Sequence, residues 1–224
     1  MTIYYLQVRL CSDTTFSRGD GVAGLLDREV EHDRYGLPFL HGRTLKGLLG
    51  EEVDNIMDVL QAAGVNIAED GWLAARNRLF GKGGSQHQSG AMIHFSHAQL
   101  PEKVRKTVEE SLKRPGMPLQ AEDVLASLTA IRRQTAVGGD GIPHDKSLRA
   151  MRVILRETIL TAELTCPQTL EEKEKMLLAA GVLALRRAGT GRNRGRGHIQ
   201  ADLLDDAGCS ILQAAFHQFA EVLP

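Results

Sequence analysis

The chain has 224 residues, a formal net charge of −1 at pH 7 and 42% apolar residues, enough for a proper core in one large unit or two small ones. Near-neutral charge excludes a global basic field, so any polyanion site must be a local patch, and no apolar run approaches the ~20 residues a membrane helix requires. Cys11, Cys166 and Cys209 are odd in number and form no CxxC pair, which argues against a zinc knuckle or a disulfide frame and makes them packing residues; with a start, Met1-Thr2-Ile3-Tyr4-Tyr5, that lacks the regions of a signal peptide, the expected compartment is the cytoplasm.

Residues 3–11 alternate Tyr4, Leu6, Val8 and Leu10 with Tyr5, Gln7 and Arg9, a period of two that predicts a half-buried strand. A polar, glycine-containing loop over 12–24 follows, then a short extended piece over 25–30, a turn over 33–36 and an extended segment over 37–40. Leu45, Leu48, Leu49, Val53, Ile56 and Leu60 recur three and four residues apart and predict an amphipathic helix over 43–62, ended by Gly64. Next come a helix over 71–79, a glycine-rich loop over 81–90, a strand over 91–95 and a helix over 101–113 that opens on a proline. Residues 114–123 hold Pro115, Gly116 and Pro118 and read as an irregular connector, while 124–134 fits helix or strand. Residues 137–146, with paired glycines and Pro143, read as a loop or hairpin tip, and 148–164 as one or two strands. A helix over 170–187, a strand over 198–204 and a terminal helix over 210–222 complete the chain.

No repeat or linker divides this sequence, so one domain over 1–224 is expected, with insertions near 64–90 and 99–147. The element order predicts an α+β fold of the ferredoxin-like or RNA-recognition (RRM-like) type, with large helical and hairpin insertions. Sheets of that type often bind single-stranded RNA. Aromatic residues are only 4% of the chain, so phosphate and backbone contacts, not base stacking, must supply any affinity.

Two segments carry the chemistry. Gly189-Thr190-Gly191-Arg192-Asn193-Arg194-Gly195-Arg196-Gly197 packs four glycines and three arginines into nine residues between a helix and a strand. Glycines let a backbone turn tightly and expose N–H groups to an anion, and arginine offers a fork matched to phosphate. A solvated flexible loop is the alternative reading. Upstream, Gly36-Leu37-Pro38-Phe39-Leu40-His41-Gly42-Arg43-Thr44-Leu45-Lys46-Gly47 runs from an extended piece through a glycine turn into a helix. Free N–H groups at that helix start would face an anion; an ordinary strand-to-helix turn is the alternative.

These two segments resemble the paired signatures of the RAMP superfamily (repeat-associated mysterious proteins). Arg132-Arg133-Gln134-Thr135-Ala136, Gly141 and Ser147-Leu148-Arg149 resemble its central segment, so the likeness spans nearly the whole length. Within that superfamily the chain most resembles the backbone subunits of type III CRISPR effector complexes. The resemblance implies a palm that grips guide crRNA, a thumb hairpin, neighbouring RAMP and other effector subunits as partners, and cleavage of paired target RNA. It implies no membrane partner. The RNA-contacting set becomes Arg18, His41, Gly42, Arg43, Lys46, Arg132, Arg133, Gly191, Arg192, Arg194 and Arg196. An acidic residue upstream of the Gly-Leu-Pro element is needed for the cut. Asp27 matches that position best, with Asp33 and Asp20 as rivals; a salt bridge or a turn is the structural alternative for each. The cut would be made by RNA's own 2′-hydroxyl, with Asp27 holding Mg²⁺ (or Mn²⁺) weakly and only with RNA, or assisting proton removal. A non-catalytic scaffold, guide processing by His32 or His41, and a protein adaptor are the competing readings. The remaining histidines, including His87, His94 and His97, read as structural; no Ser-His-Asp elbow or Walker lysine is present.

Overall fold

The computed structural model describes residues 1–82, 91–116, 119–136, 139, 141, 142, 144 and 147–223. His87 and much of the 81–90 and 137–146 segments therefore lie outside the described residues.

The strand β1 spans Thr2–Leu10 and alternates as its sequence requires, with Tyr4, Leu6, Val8 and Leu10 buried. It is one of the two inner strands of a four-stranded antiparallel sheet ordered β2-β5-β1-β6, with β2 at His94–Phe95, β5 at Ile159–Cys166 and β6 at Ile199–Leu204. Helix α1, Gly42–Ala62, joins β1 to β2, and helix α5, Glu172–Ala184, joins β5 to β6. These six elements follow the β-α-β-β-α-β order of a ferredoxin-like unit. The apolar face of the sheet forms one core with Leu45, Leu49 and Val53 of α1 and Leu177 and Leu178 of α5. α1 ends as expected: Gly64 takes φ 90° and its N–H bonds to the Gln61 carbonyl at 3.0 Å, while Val65 N–H reaches Leu60.

The opposite face presents Tyr5, Gln7, Arg9, Thr161, Glu163, Gln200 and Asp202, all half-buried or exposed. Its one arginine, Arg9, is ion-paired with Glu157. A face with one paired cation, two carboxylates and one tyrosine is not a polyanion surface, so the open side of this sheet differs from that of an RNA-recognition module.

The insertions sit on the edges of this unit. Helix α2, Trp72–Phe80, lies between α1 and β2; helix α3, Glu102–Leu112, helix α4, Ala121–Leu128, and the hairpin of β3, Thr129–Gln134, with β4, Arg149–Ile154, lie between β2 and β5. Two sequence expectations change here. The connector over 114–123 ends in a capped helix start, where Gln120 N–H donates to Asp123 Oδ2 at 2.9 Å. Residues 124–134 are both things in turn, helix to Leu128 and strand from Thr129, with extended backbone at Thr129 making the switch. Cys166 is buried, its thiol pushed up to about 11 by burial, and Cys209 is exposed, so the packing role fits Cys166 and not Cys209.

A buried ion pair fastens the hairpin to the 27–30 segment. Glu29 Oε1 accepts from Arg152 Nε at 2.8 Å and from Val30 N–H at 2.9 Å, with only 4% of the Glu29 side chain and 17% of the Arg152 side chain exposed. Backbone bonds lie on either side, from Arg152 N–H to Arg28 at 3.0 Å and from Asp27 N–H to Ala150 at 2.8 Å. Glu29→Ala leaves a buried guanidinium uncompensated and should cost about 3 kcal/mol. Urea unfolding measures it, and an unchanged midpoint would show that the pair does not hold the hairpin.

Candidate nucleic-acid interface

Each glycine of the 189–197 loop is left-handed: φ is 84° at Gly189, 76° at Gly191, 73° at Gly195 and 70° at Gly197. A side chain pays a steric penalty there, which is why the loop needs glycine. Two positions carry a further constraint. A Cβ on Gly189 would lie 2.6 Å from the Thr15 carbonyl oxygen, and one on Gly197 would overlap the Ala188 carbonyl. Gly195 faces open space. The stems are tied by Thr190 N–H to Thr15 at 3.0 Å and Ala188 N–H to Gly197 at 2.9 Å, and the Arg187 side chain donates to the Arg192 carbonyl. The crest leaves Arg192 and Arg194 exposed.

This loop lines a cavity of 760 Å³ whose remaining walls are Asp27, Arg28, Gln134, Arg149 and Met151. Arg196 closes over Met151, with its guanidinium against the thioether sulfur. Asp27, far away in sequence, thus meets the arginines of the loop. Its Oδ2 accepts the Ala150 N–H at 2.7 Å, and its Oδ1 lies 3.5 Å from the Arg149 guanidinium. Among the described residues, five arginines and one carboxylate line the cavity. Such a concentration of forked donors matches phosphate oxygens.

The second glycine-basic segment lines a different cavity. Arg43 and Lys46 border one of 490 Å³ together with Gly47, Gly50, Glu51, Asp54, Asn55, Arg76 and Phe80. Arg76 is held by Asp54 at 2.6 Å, and burial pulls the Lys46 ammonium below the usual lysine value. The helix start itself is not an open anion cradle. Gly42 is buried where a Cβ would overlap the Phe95 and Ser96 carbonyls, and its N–H donates to His97 Nδ1 at 3.1 Å. Glycine is required there by backbone packing. His97 therefore has a definite task, as acceptor for the first free N–H of α1. Nothing in its spacing shows this, because β2 brings it to α1 only in the fold. His41 packs against Phe39 and His97, with ring centroids 5.0 and 4.9 Å away, and its Nε2 lies 3.5 Å from Glu31 Oε1. Between Asp27 and α1 the chain doubles back at the 33–37 turn, where Phe39 N–H reaches the Glu31 carbonyl at 3.2 Å.

The remaining candidates are dispersed. Asp33 Oδ1 accepts from Tyr35 N–H at 2.8 Å and Leu37 N–H at 3.0 Å, which shapes the 33–37 turn outside the cavity. Arg18 pairs with Asp20 at 2.8 Å on the surface. Arg132 is engaged by Asp13 at 2.8 Å, and Arg133 is exposed on β3. Arg28, Gln134, Arg149 and Met151 line the cavity although none stands in the expected RNA-contacting set; Gln134 and Arg149 belong to the central segment that carries the resemblance. Gln134 and Arg149 face each other in the hairpin register, a pairing that only strand alignment reveals. Among the described residues no three His, Cys, Asp or Glu side chains form a metal-ligand group. With one carboxylate already hydrogen-bonded and five arginines around it, the donor set does not fit a resident Mg²⁺ site.

Two outcomes follow from this geometry. Gly197→Ala should lower the thermal midpoint well beyond Gly195→Ala, because of these two glycines Gly197 alone has a carbonyl in its way; the positive φ alone costs about 1–2 kcal/mol. Equal shifts would remove the packing argument. Burial, and then neighbouring His41, hold the His97 imidazole below its usual value, so the fold favours its neutral form. That contribution is complete above the unfolded value near ~6.5 and is lost as pH falls through it toward the lower folded value. Urea midpoints between about pH 7 and 5 should drop less in His97→Asn than in the wild type if this assignment holds.

A model of the RAMP superfamily matches residues 9–200. Curated protein sequences give no match. Among solved structures, a chain of a type III-B Cmr-beta complex bound to cognate target RNA superposes with a TM-score of 0.60 at 11% identity, covering 91% of this chain and 97% of that one. The apo state of type III-B Cmr-beta gives a TM-score of 0.60 at 11% identity, with 92% and 98% covered. A chain of a type IV-B CRISPR complex gives 0.55 at 14% identity, with 92% and 91% covered. These likenesses establish a shared fold over nearly the full length of each chain. The β-α-β-β-α-β sheet unit, the left-handed glycine loop packed on it and a family match over most of the sequence agree, and the chain belongs to the RAMP superfamily.

Proposed function

We propose that this chain is a backbone subunit of a type III CRISPR effector complex, binding crRNA through its glycine and arginine surfaces and cutting paired target RNA beside Asp27. One observation carries the reading: among the described residues, a cavity with five arginines, built on four left-handed glycines, has Asp27 as its single carboxylate. The fold shared with a chain of a Cmr-beta complex bound to cognate target RNA supports it.

The chemistry suited to this cavity is transesterification within RNA. A 2′-oxygen attacks the adjacent phosphorus, the bond to the 5′-oxygen breaks, and a cyclic phosphate and a free 5′-hydroxyl result. Arg192, Arg194 and Arg196 stabilise the charge that builds on the phosphoryl oxygens. Asp27, pinned by the Ala150 N–H, orients or accepts the 2′-hydroxyl proton. Arg43 and Lys46 bind the strand at a second point, so the guide runs between two cavities instead of lying in one. A non-catalytic scaffold is the second reading, favoured by the engagement of both Asp27 oxygens within the protein.

Filter binding to single-stranded RNA should weaken as salt rises, and Arg194→Ala should flatten the log–log slope by about 0.7 for one lost phosphate contact. A salt-independent affinity would support a protein adaptor. In the assembled complex, Asp27→Asn should lower target cleavage by about 10²-fold or more while RNA affinity stays unchanged, since asparagine still accepts the Ala150 N–H. Undiminished cleavage assigns the cut elsewhere, and a wild-type complex that binds without cutting is the scaffold.

A further inference from the structure

The outer edge of β6 is closed at both ends and open in the middle. Cys11 N–H donates to the His198 carbonyl at 2.8 Å. With the β1–β6 register, this directs the main-chain groups of Gln200, Asp202 and Leu204 at β1, and those of Ile199, Ala201 and Leu203 away from it. On that outer side Ile199 N–H donates to the Arg186 carbonyl at 2.9 Å, and the Leu203 carbonyl accepts from Ile211 N–H at 2.9 Å. Four groups remain between these two bonds: the Ile199 carbonyl, the N–H and carbonyl of Ala201, and the Leu203 N–H. Among the described residues none of the four has a hydrogen-bond partner. Ala201 is only 7% exposed, and a main-chain pair so nearly buried is costly to leave unmade.

These groups border a cavity of 450 Å³. Gln200 and Asp202 from one face of β6 and Ile199 and Ala201 from the other all line it, so it opens on the edge of the strand and not on a face. Arg186 and Ser210 stand at its two ends, where the outer bonds close. Asp202 is engaged, since its Oδ1 accepts from Ser210 Oγ at 2.6 Å. The Arg186 side chain has neither an ion pair nor a hydrogen bond among the described residues, so one end of the groove carries an uncompensated cation. A second copy of β6 cannot enter, because each edge is recessed between its own two end bonds. From Ile199 to Leu203 the gap runs about 14 Å, the length of a few extended residues.

We propose that this edge is a docking groove for a short extended peptide segment of a partner protein, laid antiparallel over Ala201 with an acidic residue at its carboxyl end beside Arg186. One residue of the peptide exchanges both of its main-chain bonds with Ala201, and the residues two before and two after it meet the Leu203 N–H and the Ile199 carbonyl. An antiparallel strand brings its carboxyl end to the start of β6, where Arg186 stands. The groove shares no lining residue with either basic cavity, so a protein partner and a nucleic acid occupy the chain at once.

The probe is the peptide acetyl-Thr-Val-Thr-Val-Glu-amide, and the readout is amide hydrogen exchange by nuclear magnetic resonance on the full chain. In the free chain the amide protons of Ala201 and Leu203 should exchange faster than those of Gln200 and Asp202, and saturating peptide should slow them to the same level. Protection of Ala201 and Leu203 already present in the free chain overturns the proposal, as does exchange that millimolar peptide leaves unchanged. N-methylation of the central threonine of the peptide should weaken binding about tenfold through loss of the bond to Ala201; equal affinity shows contact without a strand ladder and also overturns it. The peptide ending in lysine should bind about fivefold more weakly than the one ending in glutamate, and Arg186→Ala should erase that difference. Equal affinity of the wild type for these two peptides overturns the acidic assignment. None of these measurements involves RNA, so their failure leaves the reading of the arginine-lined cavity untouched.

Discussion

The buried pair of Glu29 and Arg152 is the constraint on which the rest of this site depends. Four stretches of chain, at 13–16, 27–30, 150–154 and 188–197, have little reason to meet from local preference alone. Arg152 is their junction. Its side chain reaches Glu29, its N–H reaches Arg28, and its carbonyl accepts the Thr15 hydroxyl at 2.8 Å. Thr15 in turn offers its carbonyl to Thr190, where the glycine loop begins. Ion pairs buried in this way are weak contributors to net stability but strong determinants of arrangement, since each half is costly without the other. Here the arrangement brings Asp27 to the arginine-lined cavity.

That geometry also explains why the ferredoxin-like sheet is not used as an RNA-recognition module uses its own. The exposed sheet face carries Glu163 and Asp202, and its arginine is already paired. Positive charge is concentrated instead beyond the end of the sheet, where the hairpin and the glycine loop converge. A chain of net charge −1 can present a strongly cationic cavity because its acidic residues are placed elsewhere. The polar open face and the basic cavity are two outcomes of one distribution of charge.

Much of the frame was legible in the residues. Alternation along 3–11 is strand β1, the three-and-four spacing after Gly42 is α1, and Gly64 ends it in the left-handed form expected of it. The glycine loop was legible too, because four glycines within nine residues answer to four positive φ angles. The Gly42 turn was misleading: it reads as an anion cradle, yet its glycine is fixed by the Phe95 and Ser96 carbonyls and its N–H by His97. Residues 124–134 resisted assignment because the helix passes directly into the strand with no turn residue between them.

By itself the sequence determined the periodicities, the left-handed glycines and the supply of arginines, because each of these depends on a residue and its near neighbours. The tertiary structure alone decided that the two glycine-basic segments line separate cavities, that Arg149 is the partner of Asp27, and that Asp33 is spent on a turn. The reason is physical. Hydrogen-bond register and ion pairing between distant segments depend on how the hairpin docks, and docking is set by burial of Glu29 and Arg152 together, a cooperative event that no local pattern in the chain encodes.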